Sequence, residues 1–181
     1  MDSWVVFKQD SERKPHQMVG SVRAADAEMA LLQARSVFAR RPRVISMWVA
    51  PMTSTTSWTH EDAERKDLTA YVEAPNAPTW YVFRKVGQSR SMTFVDHIGT
   101  VLAESAEHAL GNAVRKFSDH KKSWVWMVVP ELAISRSDPD DAASWFEPAK
   151  SKTYKQQSAY GLKRSKSKRR SRNDKQGRSD K

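Results

Sequence analysis

Five histidines, His16, His60, His97, His108 and His120, are the side chains best suited to hold a metal, and their spacing tests that use. A di-iron carboxylate site needs Glu-x-x-His on facing helices, because that spacing aims a carboxylate and an imidazole at one metal pair. None of the five has a glutamate three positions earlier. Glu104 with His108 comes nearest, and a separation of four on a helix reads as an exposed polar pair. Asp138, Asp140 and Asp141 lie in a proline-containing stretch and read as a solvated turn. The six glycines include no G-x-G-x-x-G or G-x-x-x-x-G-K phosphate loop. With no cysteine there is no disulfide, thiolate zinc site, cysteine-ligated cluster or cysteine nucleophile. These readings point away from an enzyme acting alone and toward a chain with no catalytic residues, metal or bound cofactor of its own.

The formal charge of +10 suggests a polyanion partner until it is located. From Lys150 onward there are 13 Lys or Arg against 2 Asp or Glu, so residues 1–149 carry a net −1 and the tail carries the rest. Past Tyr160 the chain is almost devoid of apolar side chains and cannot bury enough surface to offset its ordering entropy, so 161–181 reads as a disordered basic tail. Such a tail attracts polyanions in a salt-dependent way, but 163–181 has no aromatic on which a base could stack. Nucleic-acid or acidic-partner binding through this tail is the alternative function. The longest apolar runs fall far short of the roughly 20 residues that span a bilayer, and no leader pattern opens the chain, which reads as a soluble cytoplasmic protein without membrane contact.

The elements that would position any site occur twice. Gly20-Ser21-Val22 with Ala27-Glu28-x-Ala30-Leu31 returns as Gly99-Thr100-Val101 with Ala106-Glu107-x-Ala109-Leu110, at an offset of 79 that still holds at Pro51 and Pro130. Over that span 11 of 32 positions are identical, where about two would agree by chance at ordinary residue frequencies of roughly 5–7%. The strand openings Trp4-Val5-Val6-Phe7 and Trp80-Tyr81-Val82-Phe83 stand at offset 76.

Each copy has two runs rich in β-branched and aromatic residues (4–8 and 18–24, or 80–85 and 94–102) that predict a hairpin. An apolar stripe at Ala27, Ala30, Leu31, Ala34 and Phe38 then predicts an amphipathic helix, with Asp26 or Ser105 as its N-cap. A last strand, 44–50 or 123–129, ends at proline, which cannot donate to a ladder. The fold class is α+β, two tandem β-β-α-β units packed as a pseudo-dimer, with expected bounds 1–74, 75–160 and the tail 161–181. Both alternating faces of Trp124-Val125-Trp126-Met127-Val128-Val129 are apolar, so something covers the sheet face that the helix does not. The other repeat is the nearest candidate and a foreign subunit the next. Residues 52–79 are expected to be mostly irregular, with a helical turn or two around 60–68.

His16-x-x-Val19-Gly20-Ser21, Ala24-Ala25-Asp26, Met29-Ala30-Leu31, Ala34-Arg35, Arg40-Arg41 and Trp48-Val49 resemble the PaaB family, the small B subunit of the phenylacetyl-CoA epoxidase. Trp145-Phe146-Glu147-Pro148-Ala149-Lys150-Ser151-Lys152-x-Tyr154-Lys155 is similar to that family's closing segment. The resemblance implies a non-catalytic bridging subunit of a multicomponent monooxygenase acting on an aromatic acyl-CoA. In that system a partner subunit carries the di-iron centre and a reductase supplies the electrons. It further implies that Trp145, Phe146, Pro148, Ser151, Lys152 and Tyr154 pack at a subunit contact; the alternative is that they tuck the chain end onto its own core. A family member is usually one unit, so two copies here suggest a duplication that fused an isologous dimer.

Overall fold

The computed structural model describes residues 1–40, 44–87, 95–119, 122–140 and 142–150. The first repeat forms β1 (Asp2–Gln9), β2 (Gln17–Ala24), α1 (Ala27–Phe38) and β3 (Ser46–Pro51). The second forms β5 (Thr79–Lys85), β6 (Asp96–Leu102), α3 (Ala106–Phe117) and β7 (Val125–Pro130). Both helices start where a side-chain oxygen can take an orphan amide: Asp26 accepts from the Met29 N–H and Ser105 from the His108 N–H. Alanine on the inner face lets each helix lie close to its sheet, with Ala30, Ala34, Ala109 and Ala113 fully buried. Close approach also explains Gly20 and Gly99, at φ +150° and +152°. A Cβ at either would stand 2.8 or 2.7 Å from the ring of Phe38 or Phe117, inside van der Waals contact.

The stretch 52–79 holds the expected helical turn as the short helix α2 (His60–Glu64), and before it a short strand that was not expected, β4 (Thr56–Thr59). After the second repeat the corresponding pieces are β8 (Ser135–Arg136) and α4 (Ala142–Lys150). Among the described residues the eight strands make one sheet in the order β4-β7-β5-β6-β2-β1-β3-β8. The strand that trails each repeat therefore joins the outer edge of the other repeat. The exchange is reciprocal to the residue. Thr56 pairs with Val128 and Ser57 with Met127, while their counterparts Ser135 and Arg136 pair with Val49 and Trp48. The tail 161–181 lies outside the described residues.

At the centre, β2 and β6 meet antiparallel through the single pair Gln17 and Asp96, the same position in the two repeats. The Met18 N–H donates to the Val95 carbonyl at 3.0 Å, and the equivalent His97 N–H donates to the His16 carbonyl at 2.8 Å. A pseudo-two-fold axis thus passes between Gln17 and Asp96, as an isologous pairing requires.

Three cores result. One, under α1, contains Val6, Val22, Leu31 and Val49 and also Phe146 from the far end of the chain. Its counterpart under α3 contains Val82, Val101, Leu110 and Val128 together with Trp58, Ala63 and Tyr71 from behind the first repeat. In the third, the faces turned away from the helices meet: Val5, Phe7 and Ala50 pack with Phe83, Met127 and Val129. Phe7 and Phe83, equivalent and fully buried, stack with centroids 4.2 Å apart. Burying each is worth about 1.5–3 kcal/mol, so this junction is part of the fold's stability. The uncovered sheet face is covered by the other repeat, and the repeats join both edge to edge and face to face.

Candidate functional site

Beside the pseudo-axis the third core stops being apolar on one side. His16 is buried and stacks on Trp48 with centroids 3.5 Å apart; its Nε2 lies 3.0 Å from the Ser46 hydroxyl. His97 stacks on Tyr81 at 5.0 Å and meets the edge of Trp48 at 5.5 Å. Arg136 reaches over from β8, its guanidinium 5.6 Å from the Trp48 ring and 5.3 Å from that of Tyr81. It donates to the Tyr81 hydroxyl at 2.7 Å and to Glu131 at 3.1 Å. Burial pushes the His16 imidazole down to about 4, with help from the positive charges of His97 and Arg136. His97 is lowered as well, mainly by burial. Both rings are therefore neutral near pH 7, and the cluster is an aromatic, hydrogen-bonded joint.

The cluster has no twin. The equivalents of His16, Trp48, Tyr81, His97 and Arg136 are Val95, Met127, Val5, Met18 and Ser57. The sequence points to His16 and His97 only as possible metal ligands and to His16 and Trp48 only as family-motif residues, and to none of the five as members of a joint. The signal that could have found them is a polar or aromatic residue in one copy opposite an aliphatic or small one in the other.

The structure divides the closing segment. Trp145 is half-buried, with the Arg35 guanidinium 5.5 Å from its ring, and Phe146 is 3% exposed within the first repeat's core. Their rings meet edge-on at 6.3 Å. Pro148 belongs to α4, while Ser151, Lys152 and Tyr154 lie outside the described residues. Around α3 the first repeat's trailing segment is tied more fully: the Tyr71 ring lies over Gly111, Arg115 donates to the Tyr71 carbonyl, and Lys66 pairs with Glu107 at 2.5 Å.

Between α2, the end of α3 and the start of β7 there is a cavity of about 440 Å³. Ala63, Leu68, Val114 and Trp126 form its apolar part, and His60, Glu64, Asp119 and Lys122 its rim. His60 pairs with Glu64 at 3.2 Å and Asp119 with Arg84 at 3.0 Å. The Glu104 and His108 pair is not formed: both are exposed, and the His108 ring sits 2.9 Å from the Ser105 hydroxyl. Among the described residues no group of three or more His, Cys, Asp or Glu is placed to hold a metal ion, and no helix is long and apolar enough to cross a membrane.

A family model described as PaaB, Phenylacetic acid degradation B, matches residues 1–71 and matches again at residues 76–167. No curated protein and no solved structure matches the chain.

Proposed function

The chain belongs to the PaaB family, as a tandem form with the family's unit present twice, and from that premise we propose that it is the bridging, non-catalytic subunit of a multicomponent di-iron monooxygenase. The family places it in phenylacetate degradation. The finer reading is that partner subunits carry the di-iron centre and the reducing function, that the substrate is an aromatic acyl-CoA, and that this chain holds the partners in register. The observation that carries it is the family match over both repeats, which fold into one pseudo-two-fold body. Such a body offers two related but no longer identical faces, as a bridge between two partners needs. The segment with Trp145, Phe146, Pro148, Ser151, Lys152 and Tyr154 is read as one contact. In it the buried Phe146 anchors α4 and Trp145 packs on the same core, which fixes the point from which the segment would meet a partner.

Co-expression with a di-iron oxygenase subunit and a reductase of a phenylacetate-degradation system tests this. The expected outcome is a stable complex containing this chain, with substrate oxidation lost when the chain is omitted. Recovery of the chain as a lone monomer from cells making all the components would overturn the proposal.

A further inference from the structure

The two repeats close their helix-to-sheet gaps differently. In the first, Phe146 of α4 joins the core that contains Ala39, Val44 and Met47, Ala142 and Trp145 pack against that core, and Trp145 lies against Arg35, whose equivalent is Val114. The equivalents of Ala39, Val44 and Met47 in the second are Ser118, Ser123 and Trp126, and these line the 440 Å³ cavity. There the trailing helix is the five-residue α2, and its buried residue is Ala63. Ala39 is 7% exposed, whereas Ser118 is exposed. The second core takes the aromatics Trp58 and Tyr71 from the first repeat's trailing segment, yet the space lined by Ser118, Ser123 and Trp126 stays open beside them as a socket, whereas the first core also holds Phe146.

We propose that this socket receives an aromatic side chain, Phe or Trp, carried on a short helix of a partner subunit, and so serves as a docking point of the bridge. The occupant's chemistry follows from the filled half, where a short helix bearing adjacent Trp145 and Phe146 closes the same gap. The apolar wall of Ala63, Leu68, Val114 and Trp126 suits the ring. At the rim Asp119 is paired with Arg84 and Glu64 lies against His60, while the Lys122 ammonium, 4.5 Å from the Trp124 ring, suits an acidic residue next to the incoming ring, as Glu147 stands next to Phe146.

The inference rests on the bridging reading, and two measurements separate their fates. In the first, the full chain is titrated with a synthetic peptide of residues 142–150, Ala-Ala-Ser-Trp-Phe-Glu-Pro-Ala-Lys, while the Ala63 methyl and Trp126 indole signals are followed by NMR. Saturable shifts at Ala63 and Trp126 are expected, absent in Ala63→Phe, which fills the socket from within, and in Ser118→Arg, which blocks its mouth from an exposed position. They are also expected to vanish when Phe146 of the peptide is replaced by alanine. No shift, or shifts confined to Ala39 and Val44 where the peptide would displace α4, overturns the socket. In the second, wild type and Ser118→Arg are each co-expressed with the oxygenase subunits. A tenfold or greater loss of complex in the variant supports the proposal, and equal recovery overturns it while the bridge stands. If wild type captures nothing, the bridging reading fails and the peptide titration alone decides the socket.

Discussion

His16 makes the cost of a polar residue in the joint measurable. In the unfolded chain its imidazole takes up a proton near the ordinary value of 6.5, and in the fold only at about 4, because burial disfavours the charged ring. Between those values the unfolded state binds more protons, so stability is complete above pH 6.5 and falls as the pH drops toward 4. With each pKa unit worth about 1.4 kcal/mol, the loss over the window is on the order of 3 kcal/mol. His16→Phe should keep a ring on Trp48 and remove the titration. Urea midpoints at pH 7 and pH 4.5 should therefore diverge more for wild type than for the variant, by roughly 2–3 kcal/mol once converted; parallel behaviour would show that the fold does not hold the His16 ring neutral. At this scale some residues were legible in the sequence and some were not. Asp26 and Ser105 announce helix starts because a cap is a local bond. His16 and Trp48 gain their meaning only from Tyr81, His97 and Arg136, which the chain brings to them across the repeat boundary.

Elements were legible where a local pattern was strong. The hairpins and the alanine-faced helices appear where the apolar spacing sets them. The exchanged strand β4 did not show itself, since Thr56-Ser57-Trp58-Thr59 is short and polar, like the Thr and Ser residues before it. Its strand character comes from the partner: Trp58 sits opposite Trp126 on β7 and is 9% exposed in the second repeat's core. The counterpart of Trp58 is Ser137, whose N–H donates to the Met47 carbonyl and whose hydroxyl accepts from the Met47 N–H, so the backbone pattern is kept while the large side chain is not. Trp58→Ala should accordingly cost about 3–5 kcal/mol, the range for emptying a buried tryptophan site. Hydrogen exchange should locate the loosening in α3 and β7 of the second repeat, with α1 of the first unchanged. Equal loosening of both helices would mean that the two cores fail as one.

At the scale of the whole molecule the duplication was legible, and so was the need for a cover on the second sheet face, because an apolar strand with no polar side demands two covers; which way the repeats pair was not. The exchange was not, because a sequence offset of 79 is the same whether each trailing segment stays at home or crosses over. Crossing over has a mechanical consequence. Each helix-covered core draws residues from both sides of the turn at Pro75-Asn76-Ala77-Pro78, with Phe146 on one side and Trp58, Ala63 and Tyr71 on the other. A repeat of about 75 residues is already near the lower size at which a core sustains itself, and here each would lack part of its own. A protease site inserted after Asn76, which is exposed, should therefore be cut without releasing the halves. The nicked protein should elute as one species in size-exclusion chromatography, the 1–76 and 77–181 fragments should be unfolded when produced singly, and mixing them should restore the native circular dichroism spectrum. Fragments that fold alone, or that separate on cutting, would show two independent domains and remove the physical basis for treating the chain as a fused dimer.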